Sequence, residues 1–92
     1  MTKTVHIVFG TERHCANYAR AMAVNPSMVI RATMPEKVQE LIKEDVDTIK
    51  LIRFPEDIWK PITHPCEKRV KETEALIKGF RRLGITVVEV KE

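Results

Sequence analysis

A chain of 92 residues with 43% hydrophobic and 32% charged residues has the size and balance of one globular domain, too small for two cores and too apolar for a disordered segment. Two cysteines, Cys15 and Cys66, are too few for a disulfide scaffold. No apolar run is long enough to cross a membrane or to form a secretory signal, so a cytoplasmic protein with reduced thiols is expected.

The first informative stretch runs from Val5 to Met22. Val5, Ile7, Val8 and Phe9 form a short run rich in β-branched residues, which predicts a strand buried on both faces. Gly10 ends it. Thr11 is a good helix N-cap and Glu12 suits the positive end of the helix dipole, while Cys15, Tyr18, Ala19 and Met22 recur at helical spacing. Asn25-Pro26-Ser27 is turn chemistry, and MVIRA, Met28 to Ala32, predicts a second strand. Thr33-Met34-Pro35-Glu36 matches a capping box with Pro35 in the first turn, opening a helix with Val38, Leu41 and Ile42 inward and Asp45-Val46-Asp47 at its end. TIKLIRF, Thr48 to Phe54, predicts a third strand.

The longest irregular segment follows, Pro55 to Thr63, with two prolines and the only tryptophan, Trp59. Loops of this length in small domains tend to be functional. A third helix starts at Thr63-His64-Pro65, with Glu67 completing its cap, and carries the stripe Val70, Thr73, Leu76, Ile77, Phe80 and Leu83. Gly84 is the expected C-terminal glycine, and ITVVEV, Ile85 to Val90, the last strand.

This alternation, β-α-β-α-β-α-β, predicts an α/β domain in three layers: a four-stranded parallel sheet with helices on both faces. Right-handed crossovers favour strand order 2-1-3-4. In that order the chain reverses between strands 1 and 3, and ligands of open α/β sheets bind beyond the strand C-termini at such a switch point. One helix then covers the first face and two cover the second. Half of the first face, over strands 3 and 4, is left without a helix, which suggests a homodimer or a protein partner.

The switch point collects the candidate ligand-binding residues: Gly10, Thr11, Glu12, Arg13 and His14 in one loop, Arg53, Asp57, Trp59 and His64 in the other. Arginine donates two hydrogen bonds to a phosphate and histidine transfers protons near neutral pH, so a small anionic ligand, phosphorylated or nucleotide-like, fits. Thr11 and the amides after it would hold the anion, with Arg13 and Arg53 paired to it. A single glycine carries little weight here, because neither a dinucleotide fingerprint nor a phosphate loop is present. Should the chain be an enzyme, His14, His64 and Cys66 are the candidate catalytic residues, Cys66 being a thiol near a helix start beside Lys68 and Arg69. His14, Cys15, His64 and Cys66 are also zinc-type donors, but their spacing lacks a knuckle, and no metal site or cofactor is assigned.

Two other readings compete. One is a non-catalytic, dimeric interaction module using the uncovered half-face and the Trp59 loop. The other is nucleic-acid binding through the third helix, which carries six basic residues (Lys68, Arg69, Lys71, Lys78, Arg81, Arg82) against three acidic ones (Glu67, Glu72, Glu74) and thereby holds the whole net charge of +3. Against it, Lys68, Arg69, Lys71 and Lys78 do not all fall on one side and Glu72 and Glu74 interrupt them.

The strand, glycine and polar-turn opening together with the closing GITVVEV resemble small Rossmann-like domains, among them the nucleoside deoxyribosyltransferase and nucleotide-sensing families. The resemblance implies a fold. It implies no catalytic residue, since the acidic and glycine-rich signatures of those families have no match here.

Overall fold

A computed structural model describes residues 3–40, 46–55 and 67–91 of the chain. Its elements are β1 (Thr4–Phe9), α1 (Glu12–Ala21), β2 (Val29–Arg31), α2 (Pro35–Glu40), β3 (Thr48–Arg53), α3 (Glu67–Arg82) and β4 (Thr86–Lys91). The four strands form one sheet in the order β2-β1-β3-β4, and every pairing is parallel. This is the Rossmann-like α/β arrangement that the alternation predicts.

Strand periodicity sorts the side chains into two cores. Val5, Ile7 and Phe9 of β1, Ile30 of β2, and Ile49 and Leu51 of β3 pack with Val38 of α2 and Ile77 and Phe80 of α3. On the opposite face Val8 and Ile52 pack with Tyr18 of α1, and Cys15 closes on them. Ile7, Val8, Ile49 and Ile52 have no exposed surface, so β1 and β3 are apolar on both faces, as central strands of a parallel sheet must be. Thr73, also without exposure, ties α3 to the β2–α2 turn: its Oγ1 donates to Ala32 O at 2.6 Å, with Arg69 O at 3.1 Å as a second acceptor.

Several expectations shift. The second strand is three residues long, because Pro26–Met28 winds into a 3-10 turn whose Ser27 N–H donates to Asn25 Oδ1 at 3.0 Å. The α2 cap is Met34 in place of Thr33: Met34 O accepts from Lys37 N–H and Val38 N–H, so Thr33 lies one residue outside the helix and cannot make the box with Glu36. Met22 is 56% exposed, not buried: it is the cap one residue past the end of α1 at Ala21, and the chain turns away directly after it at the left-handed Ala23, φ 54°. Leu83 is 70% exposed for a related reason. It follows the last helical residue, and Gly84 at φ 90° reverses the chain while Ile85 N–H donates back to Phe80 O at 3.2 Å, the bond of a glycine-terminated helix. The inward roles of Leu41 and Ile42 and the cap at Thr63-His64 lie outside the described residues.

On the α1 side of β3 and β4 the sheet presents Thr48, Lys50 and Ile52, then Thr86, Val88 and Val90. Ile52 is fully buried, and among the described residues Val88, 41% exposed, is the one large apolar side chain left open there.

Candidate functional site

The β1–α1 turn is built by reciprocal capping. Thr11 has extended backbone; its Oγ1 accepts from His14 N–H at 3.2 Å, and His14 Nδ1 accepts from Thr11 N–H at 3.0 Å. This is a capping box in which an imidazole replaces the usual Glu or Gln. His14 also stacks on Phe54, with ring centroids 4.3 Å apart and 8° between planes, joining the ends of β1 and β3. Gly10 is what lets the imidazole lie so close: a Cβ there would sit 2.6 Å from His14 Nδ1. Its role is steric, toward His14.

These contacts redistribute the expected roles. Thr11 N–H is already given to His14, so the open donors of the first turn are the amides of Glu12 and Arg13, which have no intrahelical acceptor. Both side chains are exposed. His14 holds Nδ1 in the cap and can exchange a proton only through Nε2. Arg53, expected at the anion, turns to the other face of the sheet. Its Nε donates to Glu89 Oε1 at 2.8 Å, a terminal nitrogen donates to Glu74 Oε1 at 3.1 Å, and its guanidinium lies 4.2 Å over the Phe9 ring. Two carboxylates and an aromatic face satisfy that cation. Asp57, Trp59, His64 and Cys66 lie outside the described residues.

Two residues gain importance: Arg31, which the chain order sets with Thr33 to one side of the switch point, and His6, which the sequence does not single out. Arg31 ends β2 opposite Val8, on the α1 face, and its Nε is buried without a hydrogen-bond partner, the single such side-chain atom among the described residues. A buried donor on a charged group left unpaired costs more than the roughly 1–3 kcal/mol of a neutral one. Its charge reaches Cys15, where it opposes the dominant effect of burial. Burial, with help from Glu12, pushes the Cys15 thiol up to about 11, so Cys15 is protonated at neutral pH and packs as a small apolar group. The second residue is His6, buried under α1 with Nδ1 2.8 Å from the Tyr18 hydroxyl. Burial first, then the charge of Lys50, hold the imidazole below its ordinary range.

The signal for Arg31 was the period of two: in a strand Val29–Arg31 whose Ile30 faces α2 and α3, residues 29 and 31 face α1. No protein-family model, no curated protein and no solved structure matches the chain.

Proposed function

We propose that this chain is a small binding module that takes a phosphorylated or nucleotide-like anion on the α1 side of the sheet, at the C-terminal ends of β1 and β3 and reaching across to the end of β2. The observation that supports this reading is the buried, unpartnered Nε of Arg31. The Arg31 side chain as a whole is half-buried, and an anionic oxygen at the open part of its guanidinium balances a charge that the protein leaves unpaired at Nε. Around it, the Arg13 guanidinium and the first amides of α1 add donors with a favourable helix dipole. His14, stacked on Phe54, forms a rigid wall beside them.

The test is a thermal-shift screen against inorganic phosphate, sugar phosphates and nucleotides. At a ligand concentration 100 times Kd, binding adds about 2.7 kcal/mol, and a domain of this size gains about 4–8 °C in Tm per kcal/mol. Arg31→Ala is expected to abolish the shift and Arg13→Ala to reduce it. Arg53→Ala should leave it in place. A shift that survives Arg31→Ala refutes the assignment. No shift from any anion, with a solution mass above the 10.6 kDa of one chain, favours the interaction module and the open Val88 strip.

A further inference from the structure

The solvent side of α3 carries a row that the sequence pattern alone hides. At 3.6 residues per turn, Lys68, Lys71, Ala75, Lys78 and Arg82 fall within about 80° of arc, directly opposite the buried Thr73, Ile77 and Phe80. All five are exposed. At 1.5 Å rise per residue the row is about 21 Å long. None of its four cations has an ion-pair partner among the described residues. The two objections to a basic face also change: Arg69 turns off the row, and Glu74 is drawn inward to Arg53. Glu67 and Glu72 flank the row without entering it.

Gly79 is the independent observation. It borders the row between Ala75 and Arg82, in the body of a 16-residue helix, where glycine is a poor helix former compared with alanine. Nothing among the described residues requires it, since a methyl group there would meet none of their atoms within 4 Å. A bare helix surface between cations suits a partner whose backbone comes close. The occupant is also constrained by what the row lacks. Protein interfaces are centred on aromatic and large apolar side chains and depleted in lysine, whereas this row offers only Ala75. Nucleic-acid interfaces are polar and strongly basic.

We infer that this face of α3 lies along the phosphate backbone of a nucleic-acid duplex, with Lys68, Lys71, Lys78 and Arg82 each neutralising a phosphate and Ala75 and Gly79 giving the close approach. Contacts to phosphate oxygens fix position and carry no sequence information, so binding through this row is independent of sequence. The inference stands apart from the small-anion site, which uses the opposite face of the sheet.

Fluorescence anisotropy with a mixed-sequence 20-base-pair DNA duplex tests it. Four phosphate contacts give a plot of log affinity against log salt with a slope of about −3.6. Lys71→Glu with Lys78→Glu is expected to lower affinity at least tenfold at low salt and to flatten the slope by about half. Arg20→Glu with Lys37→Glu, equal in charge but on α1 and α2, should have far less effect. Gly79→Ala separates approach from charge: the free protein melts higher, yet duplex affinity falls several-fold. Absence of binding at low salt overturns the inference. So does equal loss in the two charge-reversed pairs, which would report net charge only, or binding to polyglutamate as tight as to the duplex, which would make the row a surface for acidic proteins.

Discussion

Gly10→Ala tests how the β1–α1 turn is held. The added Cβ would stand 2.6 Å from His14 Nδ1, 3.0 Å from His14 Cβ and 3.1 Å from His14 Cγ, all inside ordinary contact distance. Relief requires the imidazole to retreat, which lengthens the 3.0 Å bond from Thr11 N–H and disturbs the stack on Phe54. Loss of a cap costs about 1 kcal/mol and overpacking a tight site about 1–3 kcal/mol. A total near 2–3 kcal/mol lowers Tm by roughly 10–20 °C in a domain of this length. The assay is urea or thermal denaturation of four proteins: wild type, Gly10→Ala, His14→Ala and the double variant. His14→Ala removes the 2.6 and 3.1 Å contacts but keeps a Cβ, so part of the penalty remains, and a coupling of at least about 1 kcal/mol is expected. If the two substitutions add within about 0.5 kcal/mol, the glycine is not there to admit the imidazole.

Two other consequences are open to direct measurement. Thr73→Val keeps the shape but leaves the buried carbonyl of Ala32 without its donor; a loss of about 1–2 kcal/mol is expected, and an unchanged denaturation midpoint would remove this bond from the account of how α3 is anchored. For His6 the native ring resists protonation while the unfolded ring titrates at its ordinary 6.5. As pH falls through 6.5 the unfolded chain therefore binds the proton first, and stability declines until the native ring also charges. His6→Leu should lose less stability than wild type between pH 7 and pH 5 in urea titrations, and identical losses would show that this imidazole does not contribute.

The fold was legible because each strand announces itself by β-branched residues between turn signals, and because both central strands are apolar on both faces. Element ends were less legible. The end of α1 at Ala21, which leaves Met22 in solvent, has no signature, since alanine on either side is a good helix former, and the α2 cap was misplaced because Thr33 has the residue type of a cap while Met34, which takes the position, does not. The site divided along the same line. Thr11 as a cap was readable from residue type, but His14 as its partner was not, because an imidazole enters a capping box only when Gly10 vacates the space beside it. Arg53 read as an anion ligand because its carboxylates come from Glu74 and Glu89, which lie 21 and 36 residues away and meet it only through packing of α3 and β4.

The position of β1 between β2 and β3 carries a cost during synthesis. The strand leaves the ribosome before either neighbour, and β3 is completed 44 residues after Phe9; at about 5–20 residues per second that is roughly 2–9 s. Through that interval VHIVF is a β-prone apolar segment with at least one edge unpaired, since only the three-residue β2 is made before β3, and such a segment is the kind that seeds aggregation. His6 interrupts it. In the unfolded chain the imidazole is hydrated and, near neutral pH, partly charged, a gatekeeper within the segment; once α1 closes, Tyr18 takes it up by hydrogen bond. The same side chain that weakens the folded state in acid protects the nascent one.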